Sequence, residues 1–493
     1  MVNAFLNCFK IPELRHRLIF TLALLVIVRL GAAIPCPGIN PAVLTEFFRN
    51  IVDQGGQGDL LGMVNIFSGG ALENCAIFSL TIMPYISASI IMQLAASVVP
   101  SLAKIAREEG GRQKISQYTR FGTLLLCIVQ GYMLATAFEN PGQLLSGIEP
   151  IIQKMGPLVA DPGWFFRFTT VVTLTAGTML LMWLGEQITD KGIGNGISMV
   201  ITVGIIARLP AALANLWGKV STSAMSPLLV VLLLGFLFAV IAGTVMITQA
   251  MRKVPVQYAR QVRGNKVYGG QSSFLPLKVN YSGVMPIIFA SSILMFPSFF
   301  IRTLFPNSEM AARIIAEISN QTLTHYTLYA LMVFGFSYFW VAMMFNPTQI
   351  ADDMKKHSGF IPGVRPGAPT AEFLDFSMTR LTFSGALFLT ILAVLPGIVS
   401  GALKVPMTVS TFFGGTSLLI LVGVMLDTMR QMETYLLQRH YDGFLKKGKL
   451  RGRSFGGQAA TGEALSEKKM FWLLFVVAVI LIGGIVASLI LHR

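Results

Sequence analysis

The side chains able to make or break bonds are few and scattered. Five histidines (His16, His325, His357, His440 and His492) fall in loops or at the ends of apolar runs, and four cysteines (Cys8, Cys36, Cys75 and Cys127) lie far apart in the chain. A structural zinc site needs closely spaced Cys and His ligands, and no such spacing occurs, so no metal site is expected. Four cysteines are also too few for a disulfide framework. The phosphate-binding GxxxxGK[ST] and metalloprotease HExxH patterns are absent from the sequence, and the one match to the hydrolase GxSxG pattern, GRSFG at Gly452–Gly456, falls in the basic tail outside the apolar runs. The chain is therefore expected not to be an enzyme and to need no cofactor. Glu186 and Asp427 sit near the ends of apolar runs, whereas an ion-coupled carrier must hold ionisable groups inside its bundle. Six further polar residues within the runs, Ser87, Ser89, Gln93, Gln130, Thr173 and Thr175, are uncharged, and helix packing is their ordinary role.

Two other residue types recur with meaningful spacing. Ile82 with Ile86, and Ile197 with Ile201, are i, i+4 pairs, so each pair shares one helix face. Long stretches rich in Gly and Pro carry the other type. Arg252, Lys253, Arg260, Arg263, Lys266 and Lys278 lie in 249–280, and Lys355, Lys356, Arg365 and Arg380 in 347–380. Arginine suits bidentate contact with phosphate or carboxylate, although the general bias of basic residues towards one membrane side would also place them here.

The elements that must position these residues follow from composition. Of 493 residues, 54% are hydrophobic and 12% charged, with a net charge of +15 and mean hydropathy of +0.66. Soluble domains carry roughly twice that charged fraction, which leaves a polytopic membrane protein. Eleven apolar runs fall at 18–36, 75–99, 118–138, 165–187, 194–213, 226–249, 282–301, 326–346, 381–401, 411–430 and 470–490. Each approaches the ~20 residues of a membrane helix. If the N-terminus is cytoplasmic and every run crosses once, the cytoplasmic loops collect most of the Lys and Arg, as the positive-inside rule requires. Arg29 then stands inside the first run.

Residues 57–74, QGDLLGMVNIFSGGALEN, are too short and polar to cross. They read either as a surface amphipathic turn or as a short helix folded back into the membrane, which survives only where protein or a water-filled cavity surrounds it. The sequence also repeats itself. MPYISASII (Met83–Ile91) matches MPIIFASSI (Met285–Ile293) at six of nine positions, and GISMVI (Gly196–Ile201) echoes GTSLLI (Gly415–Ile420). Both pairs are five runs apart, so the two copies insert in opposite orientations, an arrangement that builds a central pathway between the halves.

Seven ordered motifs make the comparison specific: NIFSGGAL (Asn65–Leu72), GRQKISQYTRFGT (Gly111–Thr123), MWLGEQITDKGIGNGIS (Met182–Ser198), LPLKVNYSGVMPIIFASSI (Leu275–Ile293), FNPTQIADDMKK (Phe345–Lys356), FIPGVRPG (Phe360–Gly367) and FFGGTSLLI (Phe412–Ile420). Over residues 12–445 they closely resemble the SecY family, the central subunit of the bacterial protein-conducting channel. The resemblance implies an all-α, ten-helix inverted-repeat channel, five plus five. Residues 1–220 would form the N-terminal half, with a re-entrant plug at 59–74, and 221–440 the C-terminal half, with cytoplasmic loops 249–280 and 347–380. The tail 441–493 departs from the family. It is basic and ends in about 20 uncharged residues after Lys468 and Lys469, long enough for an eleventh transmembrane helix.

Function and sites follow as implications of the same resemblance. The chain would be a gated, passive pore in the cytoplasmic (inner) membrane, with its N-terminus in the cytoplasm. It would translocate unfolded secretory proteins and release membrane-protein helices sideways into the bilayer. Ile82, Ile86, Ile197, Ile201, Ile288 and Ile420 would form the pore ring, and Asn65, Phe67, Ser68, Gly69 and Gly70 would belong to the plug. Ser87 and Gln130 are candidates for polar contacts at the lateral gate, and helix packing explains them nearly as well. Arg252, Lys253, Arg260, Lys266, Lys355, Lys356 and Arg365 would dock the SecA motor ATPase or the phosphates of ribosomal RNA. Further implied partners are the small membrane subunits SecE and SecG, signal sequences and nascent chains, SecDF, a membrane insertase and the lipid bilayer. A secondary transporter and an intramembrane hydrolase compete less well, for want of buried charge and of a nucleophile or metal motif within the apolar runs.

Overall fold

The computed structural model describes residues 12–53, 65, 68–108, 110–141, 148–221, 227–258, 261–263, 266–268, 272–304, 322–403 and 416–446, with isolated positions between 308 and 317. The tail from 447 onward, with the run at 470–490, lies outside the described residues, as do Phe67, Arg260 and 59–64 of the expected plug.

Helix α1 (Pro12–Gly31) opens on a proline, whose missing N–H costs nothing in a first turn. It ends at Gly31, where any Cβ would collide with the Phe78 ring crossing over it. Next comes α2 (Pro41–Asp53), whose Val43, Leu44, Phe47 and Phe48 are buried. Helix α3 (Met83–Val98) starts later than the apolar run beginning at 75 suggests. Pro84 is tolerated only in a first turn, and Cys75 and Thr81 both take positive φ, so 75–82 form turns instead. At ~1.5 Å per residue, its 16 residues rise only about 24 Å, short of a ~30 Å hydrocarbon core.

Pro100 begins α4 (Pro100–Arg107), followed by α5 (Gly111–Glu139), α6 (Glu149–Met155) and α7 (Trp164–Lys191). Helices α5 and α7 pack along their length. Ion pairs join them at both ends: Arg120 meets Glu186 through two hydrogen bonds of 3.1 and 2.9 Å, and Arg167 Nε donates to Glu139 at 2.7 Å. Then come α8 (Gly196–Ser221) and α9 (Pro227–Gln249). The helices of the second half are α10 (Met285–Leu304), α11 (Leu323–Met344), α12 (Pro347–Lys356), α13 (Ala368–Leu403) and α14 (Thr416–Lys446). Thr322 and Asn346 cap α11 and α12, each side-chain oxygen accepting an N–H of the first turn at 3.2 Å. Among the described residues, α5, α7, α8, α9, α11 and α13 are long and apolar enough to cross a membrane. Both copies of the internal repeat fall at helix starts. The Met-Pro pairs open α3 and α10, and the second echo opens α8 and the first turn of α14.

The helical expectation holds with one addition, since part of 249–280 is sheet rather than loop. Strand β1 (Met251–Tyr258) is followed by a short hairpin, β2 (Gln261–Arg263) with β3 (Lys266–Tyr268), and by β4 (Ser272–Lys278). Strand β4 pairs antiparallel with β1 in the register Val254↔Leu275. On the other edge of β1 lies β5 (Gly359–Phe360), with Gln257 opposite Phe360. Burial of Val254 and Val256, two apart, is the period of a half-buried strand.

Candidate functional site

Four helices bring their first turns to one point. Ile82 precedes α3 and Ile86 lies on its first turn; Ile197 and Ile201 come from the start of α8, Ile288 from α10 and Ile420 from α14. All six share one apolar cluster with Ile90, Ile205, Phe289, Trp340 and Val424. Ile82, Ile86, Ile288 and Ile420 are buried, while Ile197 and Ile201 are half-buried. Helix starts carry unpaired N–H groups that must find acceptors away from water. Here Thr81 Oγ1 accepts from Met83 N at 3.2 Å, and Asn195 Oδ1 accepts from Ser198 N at 3.2 Å. A cavity borders the cluster, lined by Ile82, Ile86, Ile201, Ile288 and Ile420 together with Arg29 and Ser68.

The segment beside that cavity is neither a surface turn nor a regular helix. Residues 68–80 run as turns, mostly buried, with Ala71, Cys75 and Ala76 fully enclosed and Glu73, Asn74, Ile77 and Leu80 partly so. Gly69 and Gly70 have φ of 63° and 92°, and a Cβ on Gly69 would lie 2.6 Å from the Gly204 Cα in α8. Only glycine accepts both the left-handed backbone and the close approach.

Charged side chains hold the segment. Arg29 donates to the Gly69 carbonyl at 3.1 Å. Arg208 on α8 forms an ion pair with Glu73 and donates to Asn65 Oδ1 at 3.2 Å. Asn65 Nδ2 in turn donates to Glu73 Oε2 at 3.1 Å, and the Glu73 N–H to Asn65 Oδ1 at 3.1 Å. Ser68 Oγ donates to the Asn65 carbonyl at 3.0 Å and accepts from Leu72 N at 3.3 Å. Sequence reasoning notes Arg29 but misses Arg208 and Glu73. The available signal was an arginine interrupting the apolar run at 194–213, which marks a functional position by default.

The remaining candidates separate. Ser87 is buried on α3 and Gln130 half-buried on α5, which packs against it, but no hydrogen bond joins the two side chains. The seam from α3 to α10 and α11 is apolar instead: Ile86, Ile90 and Leu94 share the central cluster with Phe289, Ile293, Phe336 and Trp340. The Phe289 ring lies 5.5 Å from Phe336 and 5.3 Å from Trp340.

The two basic stretches form one body. Strand β5 ties them through β1, and Val254, Leu277, Phe345, Ile361, Leu374 and Met378 bury a shared apolar core. Arg252, Lys253, Lys355, Lys356 and Arg365 are exposed on it, and Lys266 lies on β3. The Arg365 carbonyl accepts from Thr370 Oγ1 at 2.8 Å, which fixes the loop carrying it. Among the described residues, no group of three His, Cys, Asp or Glu side chains could hold a metal.

A model of the SecY family matches residues 76–429. The chain is 43% identical to the protein translocase subunit SecY of Chlamydia trachomatis over 90% of its own length and 98% of the relative's. It is 44% identical to that of Escherichia coli K12, over 89% and 96%. Among solved structures it resembles a protein-conducting channel (TM-score 0.55, 15% identity, 88% of this chain and 94% of the other) and Sec61 from a canine ribosome-channel complex (0.55, 16%, 88% and 94%).

Proposed function

The chain belongs to the SecY family, and on that premise we propose that it is the central, gated subunit of a channel that translocates unfolded secretory proteins. The observation that carries this reading is the convergence of six isoleucines from four helices beside an enclosed, irregular segment. In this reading residues 1–220 and 221–440 are the two inverted halves, and the isoleucines are the ring between them. An aliphatic constriction bars ions by dewetting and yields around a passing chain. Segment 59–74 is the plug, and the contacts of Arg29 and Arg208 keep it seated beneath the ring. Parting of α3 from α10 and α11 opens the lateral gate. There an apolar signal helix exchanges protein contacts for lipid, with Ser87 and Gln130 facing the opened seam.

Orientation and partners belong to the same proposal. The protein spans the cytoplasmic (inner) membrane with a cytoplasmic N-terminus, and 470–490 adds an eleventh span. The basic body faces the cytoplasm. Arg252, Lys253, Arg260, Lys266, Lys355, Lys356 and Arg365 present charge there to SecA or to ribosomal RNA phosphate, in keeping with the ribosome complex of the canine relative. SecE and SecG complete the channel, and SecDF and a membrane insertase act beside it. Its work is to conduct and release chains, with the driving energy supplied by the motor or ribosome.

Reconstitution with SecE, SecG and SecA in proteoliposomes tests this. ATP-dependent protection of a presecretory protein from external protease is the expected result, and no protection above empty vesicles would overturn the reading. Arg365→Glu is expected to lower SecA-driven protection at least tenfold by placing like charge at the contact. Stability should change by no more than about 0.5 kcal/mol, as for other exposed positions.

A further inference from the structure

Four cysteines occur in the chain, and two of them stand opposite each other. Pro35 and Ala76 form an antiparallel bridge, which makes Cys36 and Cys75 the next pair along it. The Cys36 N–H donates to the Cys75 carbonyl at 2.8 Å, and the Ile77 N–H donates to the Ile34 carbonyl at 3.0 Å on the other side of the bridge. This single backbone hydrogen bond sets the two residues side by side, the Cys75 N–H itself donating to the Leu72 carbonyl at 3.0 Å, and side-by-side residues are the ones able to meet the ~4.4–6.8 Å Cα window of disulfides. Both cysteines belong to the same apolar cluster, with Leu72 and Ile39, and are 2% and 0% exposed. Cys75 also takes a φ of 47°, a strained conformation for a residue with a Cβ, which persists only where surroundings over-determine it.

We propose that Cys36 and Cys75 are joined by a disulfide bond in the cell. The inference rests on the topology proposed above, which puts 32–82 on the extracytoplasmic side, where disulfides form and persist. The two thiols together lose two protons and two electrons as the S–S bond forms. An oxidised thiol–disulfide oxidoreductase of that compartment accepts them through a mixed disulfide and leaves as its dithiol. Both sulfurs are enclosed in the folded chain, so exchange precedes closure of the apolar cluster around them. The bond closes a covalent ring around the whole plug segment. The segment can leave its seat, but its base stays pinned to the bridge residues that follow α1, and 75 becomes a fixed hinge.

The test traps thiols in native membranes with one alkylating reagent under denaturing conditions, then reduces and applies a second, isotopically heavy reagent. Cys36 and Cys75 are expected to carry the second label, and unreduced digests to contain their joined peptides. Cys127, inside α5, is expected to carry the first. First-reagent labelling of Cys36 and Cys75 would overturn the proposal. Asp161→Cys in a cysteine-free background, exposed in the loop before α7, then separates two failures. Labelling from outside by an impermeant reagent means the pairing alone is wrong, and none means the topology is wrong as well. As a second measurement, dithiothreitol is expected to lower the thermal midpoint of the purified parent complex but not of Cys36→Ser/Cys75→Ser. Equal shifts in both would also overturn it.

Discussion

At the isoleucine cluster, four helices meet through hydrocarbon side chains that make no directional bonds. Beside the cavity, the segment around Gly69 is held by two arginines, a carboxylate and an asparagine, with a backbone only glycine can follow. In the proposed function, the difference follows from what each region does. A seal that closes around variable chains needs a compliant surface with no preferred partner, and dispersion supplies many small, interchangeable contacts. A segment with one resting place needs a few strong contacts that are lost together when it moves. The ring is therefore expected to tolerate changes of shape but not of polarity, and the seat the reverse.

That contrast can be broken in graded ways. Combining Arg208→Ala with Ile86→Ser and Ile201→Ser removes both closures, and planar bilayers should show continuous ion conductance, the largest effect. Gly69→Val comes next. It forces a β-branched residue to a φ of 63° against Gly204, so the segment cannot seat, and a cysteine at Ser68 should become open to impermeant thiol reagents in most molecules. Arg208→Ala alone leaves Glu73 without its ion pair. Losing hydrogen bonds to charged groups costs about 2 kcal/mol, roughly a 30-fold rise in the unseated fraction by the same labelling. Exchanging the pair, Arg208→Glu with Glu73→Arg, should recover part of that loss, which a double-mutant cycle measures. Ile86→Leu should do least. Volume-conserving exchanges cost under about 1.5 kcal/mol, and resting conductance should match the parent.

How much could be read from the sequence differs between the same two regions. The isoleucine cluster was legible through the family resemblance, with which the helical spacing of Ile82, Ile86, Ile197 and Ile201 and the repeat positions of Ile288 and Ile420 agree. Periodicity and repetition are local properties of a chain. The seat was not, because Asn65, Glu73 and Arg208 meet only after α8 folds back against the segment, across 135 residues or more. The late start of α3 was written in Pro84, but the apolar run from 75 masked it. Strand β1 carried its period-two pattern in Val254 and Val256, yet its short partner β5 lies about a hundred residues away. The apolar seam from α3 to α10 and α11 escaped for a related reason. Phe289, Phe336 and Trp340 look like ordinary core or lipid-facing residues until α10 and α11 bring them to α3.

The central claim is that the isoleucine ring closes the resting pathway. Planar-bilayer conductance of the purified complex carrying Ile86→Ser and Ile201→Ser, with Arg208 and Glu73 intact, tests it most directly. A polar constriction wets, so stepwise ion currents are expected from the variant under conditions where the parent is silent. A variant as silent as the parent would show that these isoleucines do not form the seal.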